Sequence, residues 1–555
     1  MFLKAYGEIK TRLREVLAQK NWEVDDLKLE EPREIADLAT AVAFKISSKT
    51  DKKPIEIAKE IENQLNQKTL EYVEKTEATE PGYINFFFSQ KQLKNHLNQL
   101  IHQKKEIGTI KEDKGNVIVE HTSANPTGPL HIGHLRNAVI GDTLENILEK
   151  SGYNTQTQYY LNDMGKQMAI LLHGIREYGL GTNKSQDEAI GEIYSKTNSE
   201  DHEIDQEEVQ DIMQKLENKD KETKRELDQI VDKCYKGIQK SLKQLNIQID
   251  EVIKESKFVF DDSVEEIFQQ LKPFIEIDDG AAQIEFDEID KELVLKREDG
   301  TSVYALRDLA YHKWKAQKAT NNIDILGSDH KLYSKQLKKT LELIGIKPPE
   351  TIIFEFVSLP AGEMSTRKGE FISIRELFEE VRKKAYEEVD ERRKKPREWK
   401  QEVAKEVAIA AIRYDFIKVA PNKPISFDLE KAVSFKKQGA PFIQYSHARA
   451  SNILQKSGKD KTKIQAINDP VINDLVKHIS RFSYVIQKSA EKRKPHLFAE
   501  YLFELASKFN QFYRDKTVLD SEQPKRQNRL AVVELTKKAL KEGIQTLGFE
   551  APKEM

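Results

Sequence analysis

Two stretches of this chain carry groups suited to holding a triphosphate. In SANPTGPLHIGHLRN (123–137), His131 and His134 bracket Gly133. Two imidazoles at the start of a helix place N–H donors and the positive end of the helix dipole where negative charge develops on a phosphate. A glycine between them lets a flat base approach the backbone, and Pro126 and Pro129 stiffen the loop ahead of substrate. A bare H-x-G-H spacing is more often only a capped helix; its position in the chain decides. Far downstream, SLPAGEMSTRKGEFISI (358–374) sets Ser365, Thr366, Arg367 and Lys368 between Gly362 and Gly369. Such a loop can bring cations over phosphates and release them, although basic surface turns are commoner.

The elements around these stretches are those of a nucleotide fold. NVIVEHT (116–122) reads as a buried parallel strand. A helix follows from about Gly133 to Lys150, with Leu135, Val139, Ile147 and Leu148 on one face and Gly152 as its stop. NTQTQYY then reads as the next strand. Strand, loop, helix, strand opens a doubly wound α/β domain, and the strand-to-helix handover is where such folds bind nucleotides. Strand patterns return at 281–287, 292–298, 323–328 and 351–357. Residues 184–247 are charged and helical in period, an inserted helical subdomain. The chain divides into a small α/β domain at 1–112, a Rossmann-like catalytic domain at 113–390, and an α-helical bundle at 391–555 containing only helices.

Composition excludes several classes. The chain has 555 residues, a formal net charge of -3 and 33% charged residues, so it is globular with a charged surface and not basic overall. Nothing approaches the run of about 18 apolar residues of a membrane span, and the N-terminus reads as an amphipathic helix rather than a secretory signal. Cys234 is the sole cysteine, which rules out disulfide frameworks and Cys-based zinc knuckles. A cytoplasmic protein without a structural metal is the expectation.

Six blocks in order resemble arginyl-tRNA synthetases, class I enzymes that pair a HIGH motif with a KMSKS loop. They are VEHTSANPTGPLHIGHLRNAVIGD, YYLNDMGKQ (159–167), DGTSVYALRDLAY (299–311), the MSTRKG loop, FDLEKAVSFKKQGAPFIQYSHARASNIL (427–454) and LKEGIQTLGFEAPKEM (540–555). The resemblance implies ATP with Mg2+, L-arginine and a tRNA as ligands. It makes His131, His134, Arg367 and Lys368 catalytic, and Gly133, Pro126, Met364, Ser365 and Thr366 part of the ATP site. It also implies that activation needs bound tRNA. Two departures stand out. Glu363 and Thr366 replace the usual two lysines of KMSKS, and Gly128 stands where some members carry a compensating lysine, so the phosphates fall to Arg367 or Lys368 of the downstream loop.

Arginine's planar guanidinium calls for carboxylates and planar acceptors in fixed geometry. Tyr304 and Asp308 are spaced i,i+4 and share a face if their segment is helical. The resemblance implies that they grip the guanidinium with help from Glu120, and that Ser123 and Asn125 hold the α-amino and carboxylate groups. His330, where many relatives carry glutamine, reads equally as a pocket residue or a packed histidine. On the tRNA side, Tyr83 and Asn85 resemble a D-loop contact, with an edge strand as the plain alternative. Arg397 and Trp399, in the basic ERRKKPREWK, suit a phosphate backbone and a stacked base.

Overall fold

The computed structural model describes residues 1–32, 35–102, 107–181, 184–199, 204–360, 372–435, 439–458 and 462–555. A five-stranded, all-parallel sheet forms from β1 (Asn116–Glu120), β2 (Asn154–Leu161), β3 (Glu251–Lys254), β4 (Asn321–Gly327) and β5 (Glu350–Phe354). The order β5-β4-β1-β2-β3 reverses direction between β1 and β4. Ligands of open α/β sheets bind in the crevice beyond the strand ends at such a switch point. The Rossmann-like architecture expected from the sequence is present.

Helix α1 (Ile132–Lys150) leaves β1 and is buried on every side from Leu135 to Leu144, polar residues included. It lies between the sheet and the C-terminal helices, so no solvated face remains. Gly141 permits this approach, since a Cβ there would fall 2.3 Å from the ring of buried His121. Its two largest buried polar side chains find backbone partners: Asn137 donates to Ile325 O (2.9 Å) and accepts from Thr122 N (3.0 Å), and Arg136 reaches Glu355 O (2.5 Å).

Three sequence expectations need correction. TIIFEFV is not one strand, because β5 ends at Phe354 and a short strand, Val357–Ser358, follows. Glu355 N bonds Pro421 O and its carbonyl accepts from Arg136, which turns the chain out of the sheet. The C-terminal region is not purely helical, since Ile425–Ser426 pairs in parallel with Val357–Ser358. The strands at Ala281–Phe286 and Ile289–Lys296 join Glu276–Asp278 in a separate antiparallel sheet. The parallel sheet instead takes β3, too short and charged to show a strand pattern.

The insertion folds as helices Gln186–Thr197, Gln206–Glu217 and Lys221–Gln244. Helix α2 (Tyr304–Lys318) precedes β4, α3 (Lys331–Leu343) follows it, and α4 (Ile374–Arg392) leads to α5 (Arg397–Ile417), the first helix of the C-terminal bundle. The N-terminal domain carries a three-stranded antiparallel sheet of Leu38–Thr40, Tyr83–Phe88 and Val73–Thr79. It docks on the bundle through reciprocal bonds between Asn98 and the Ile464 backbone (3.0 and 2.8 Å). Among the described residues no helix is long and apolar enough to cross a membrane.

Arg413 of α5, fully buried, ties three units together. It donates to Leu547 O (2.9 Å), to Leu245 O (3.0 Å) beyond the last inserted helix, and to Asp142 of α1. Truncating one partner of a buried ion pair leaves the other charge uncompensated. Arg413→Ala should therefore destabilise the chain by about 3–5 kcal/mol in urea unfolding, and a parental midpoint would contradict this account.

Candidate active site

β1 ends in a strained turn. Thr122 (φ 71°) and Ser123 (φ 35°) both adopt left-handed backbone, unusual for any side chain and most costly for a β-branched one. The Asn137 amide and the His121 ring hold Thr122 in place. Ser123 then bonds Glu120 Oε1 (3.0 Å) and accepts from Tyr160 N (3.1 Å). Asn125 donates to Gln167 (2.6 Å) and accepts from Asn162 (2.8 Å), which brings the YYLNDMGKQ segment to the same turn. Pro126 is buried beside it.

His131 caps α1. Its Nδ1 accepts from Gly133 N (3.1 Å), while His134 Nδ1 accepts from His131 N (3.3 Å), and the rings lie 3.7 Å apart. A backbone amide can only donate, so each neutral ring carries its proton on Nε2. Burial lowers the pKa of His131, and burial together with the His131 ring holds His134 down to about 3. Near neutral pH both imidazoles are uncharged donors.

The second stretch returns to the same place. Ile132 N donates to Ile372 O (3.2 Å) and Ile374 N to Leu130 O (2.9 Å), with His131 opposite Ser373. Ser373 also caps α4. The histidine turn and the C-terminal exit of the MSTRKG stretch are thus hydrogen-bonded neighbours at the switch point. Met364, Ser365, Thr366, Arg367 and Lys368 themselves lie outside the described residues.

α2 supplies a polar wall with Asp308 as its one carboxylate. Tyr304, half exposed at its start, meets the Tyr333 ring at 5.1 Å, and His330 faces Tyr333 at 6.4 Å. Asp308 accepts from the Tyr333 hydroxyl and stands 3.4 Å from His312. Burial alone would raise its pKa, but His312, Tyr333 and Lys315 outweigh that and hold it below the ordinary carboxylate value. Arg307, its neighbour in the chain, turns the other way to Glu255 (2.8 Å) and Glu217 (3.1 Å). Glu120 sits behind Ser123, its second oxygen taken by Lys315 (2.6 Å), which also bonds Asp324 on the neighbouring strand.

Sequence reasoning missed His312, Lys315, Asp324 and Tyr333. Asp308, Tyr311, His312 and Lys315 fall at i, i+3, i+4 and i+7 on a largely buried helix, a polar stripe that marks a ligand wall or a buried ion network. Tyr333 lies three residues after His330, one helical turn on. Among the described residues no three His, Cys, Asp or Glu side chains group as metal ligands. A cleft of about 760 Å3 lies at the opposite end of the strands, lined by Asn116, Asn154 and Lys318, and contains none of these groups.

The expected tRNA contacts are spread over the flanking domains. Tyr83 is exposed against Phe44, whereas Asn85 is 4% exposed with its amide on the Thr79 hydroxyl. Arg397 is exposed at the start of α5, and Trp399 is half buried under Lys395 (5.4 Å).

Residues 96–427 match the family model described as tRNA synthetases class I (R), catalytic domain. The chain belongs to the arginyl-tRNA synthetase family. Residues 7–88 match the arginyl tRNA synthetase N terminal domain, and 443–555 the DALR anticodon binding domain. The chain is 43% identical to the arginine–tRNA ligase of Archaeoglobus fulgidus over 95% of its length and 96% of the relative's. It is 41% identical to that of Methanococcoides burtonii, with both chains fully covered. The Thermus thermophilus arginyl-tRNA synthetase superposes with a TM-score of 0.86 at 26% identity, over 99% of each chain.

With the imidazoles buried and neutral, KM for ATP should show no inflection from His134 near its ordinary pKa of 6.5. An inflection there that His134→Asn removes would show that the ring titrates.

Proposed function

We propose that the chain is an arginine–tRNA ligase that uses ATP to convert L-arginine to arginyl-adenylate, then transfers arginine to the 2′-hydroxyl of the terminal adenosine of its tRNA, releasing AMP and pyrophosphate. The observation that carries this reading is the pairing of Leu130–Ile132 with Ile372–Ile374 beside the polar wall of α2. It brings the histidine turn and the segment leaving the MSTRKG stretch to one switch point, where open α/β sheets bind their ligands.

In this mechanism the arginine carboxylate attacks the α-phosphate in line, and pyrophosphate leaves. No side-chain nucleophile takes part, so the catalytic terms are orientation and charge stabilisation. His131 and His134 donate from Nε2 to phosphate oxygens at the positive end of α1. Arg367 and Lys368 balance the remaining charge, with Met364, Ser365, Thr366, Gly133 and Pro126 around the nucleotide. Magnesium would be carried by the triphosphate and would supply charge neutralisation there.

The guanidinium is assigned to Asp308, kept ionised by His312 and Tyr333, with Tyr304 covering it and His330 at the rim. Ser123 and Asn125 take the α-amino and carboxylate groups. Glu120 acts from behind, orienting Ser123 and neutralising Lys315. A smaller or uncharged amino acid leaves buried acceptors unpaired, a penalty that makes a separate hydrolytic site unnecessary. The domain division at 112 and 390, a monomer acting in the cytoplasm, a tRNA requirement for activation, and tRNA contacts at Tyr83, Asn85, Arg397 and Trp399 complete the reading.

Pyrophosphate exchange with a panel of amino acids, with and without tRNA, tests this. Arginine should drive exchange and tRNA should stimulate it, whereas exchange driven by leucine or cysteine instead would overturn the assignment. Asp308→Ala should abolish arginine-dependent exchange while tRNA binding persists; parental exchange would remove Asp308 from the pocket.

A further inference from the structure

The helical insertion, with no function assigned so far, touches the histidine turn from two directions. From one side it uses small residues. Gly191, in helix Gln186–Thr197, lies so close to the loop before His131 that a Cβ on it would sit 3.0 Å from Pro129 Cδ and 3.3 Å from Gly128 Cα. Cys234, in helix Lys221–Gln244, donates its thiol to Gly128 O at 3.5 Å. From the other side it uses charge. Arg375, one residue past the 372–374 pairing segment, donates to Ser185 Oγ (2.5 Å), Glu188 Oε1 (3.0 Å), Ser241 Oγ (3.2 Å) and the Asp187 carboxylate. Asp187 is fully buried against Gly237, where a Cβ would fall 2.2 Å from its Cγ.

These contacts surround the turn. The pairing of 130–132 with 372–374 holds it along the strand direction, Gly191 and Cys234 back its loop, and Arg375 locks the pairing segment to the same inserted helices. We propose that the insertion is the abutment that fixes the histidine turn, and that Arg375 is the positioning residue through which it acts. This rests on the reading of His131 and His134 as ATP-facing. Arg375 touches no substrate; it acts through Ile372–Ile374 on the backbone that carries the two imidazoles. A module free to move with a bound macromolecule would not need backbone-to-backbone approach through glycines or a desolvated ion pair at its root.

The test uses the full chain. In arginine-dependent pyrophosphate exchange, Arg375→Ala should raise KM for ATP about tenfold and shift KM for arginine less than about twofold, as expected when only the phosphate-facing groups are misplaced. Gly191→Ala should raise KM for ATP in the same direction by pressing on Pro129. Alanine favours the helix over glycine by about 1 kcal/mol, which opposes the cost of the pressed contact, so any fall in melting temperature should be small beside the rise in KM. That opposition separates positioning from mere stability. Hydrogen exchange of residues 127–135 should quicken in Arg375→Ala whether or not the chain turns over, so failure of the ligase reading and failure of this inference remain distinguishable. A folded Arg375→Ala protein with parental KM for ATP and parental exchange at 127–135 overturns the proposal. Should that variant not fold, Arg375→Lys keeps a charge opposite Asp187 but cannot span four oxygens, and parental values there overturn it equally.

Discussion

Two backbone hydrogen bonds, Ile132 N to Ile372 O and Ile374 N to Leu130 O, join segments some 240 residues apart and define where the chemistry of this chain can occur. Each such bond contributes only about 1 kcal/mol net. Their consequence is geometric. Both segments are helix starts, α1 capped by His131 and α4 by Ser373, so the join sets two positive helix ends side by side. A polyanion is the natural partner of such a place. The two rings at this junction are neutral, which limits repulsion between converging positive groups before substrate binds.

The acidic side follows a different rule. Asp308, His312, Lys315, Asp324 and Glu120 form a nearly dry string, in which Lys315 pairs with Asp324 and Glu120 and the His312 ring lies 3.4 Å from Asp308 and 3.7 Å from Asp324. Lys315 satisfies the two strand carboxylates and leaves Asp308, at the outer end, as the carboxylate nearest the exposed Tyr304. Burial would tend to protonate Asp308, and the His312 and Tyr333 contacts prevent it. A buried carboxylate kept ionised without a full salt bridge is poised for a cationic ligand.

Much of this was legible in the residues. The switch point could be read because β1 is an unbroken apolar run and α1 begins at a histidine cap, both local signals. Tyr304 and Asp308 could be paired from helical spacing. Three things could not be read. β3 is four residues long and charged, so its place in the sheet comes from register beside β2 and not from its own pattern. Ile425–Ser426 is a strand only because Val357–Ser358 lies next to it. Glu120 lies 195 residues before Lys315, and its union with Lys315 and Asp324 depends on β1 and β4 being neighbours. The amphipathic reading of α1 was too narrow for a related reason. A helix covered by a sheet on one side and a bundle on the other has no face to leave polar for water.

That double burial bears on how the tRNA-facing domains relate to the ATP site. α1 spans nineteen residues, about 28 Å at 1.5 Å per residue. It is held along its length by Arg136 at Glu355 O, Asp142 at Arg413, and Lys150 at Glu542 (2.9 Å) in the last helix of the bundle. A rod fixed at both ends transmits placement but cannot choose between states. If activation depends on tRNA, the element with two arrangements has to lie at the ends of the rod and not along it. On the bundle side the contacts of Arg413 with the Leu547 carbonyl and of Lys150 with Glu542 are the points where such a difference would enter α1. On the catalytic side it would emerge at the capped turn that carries His131 and His134.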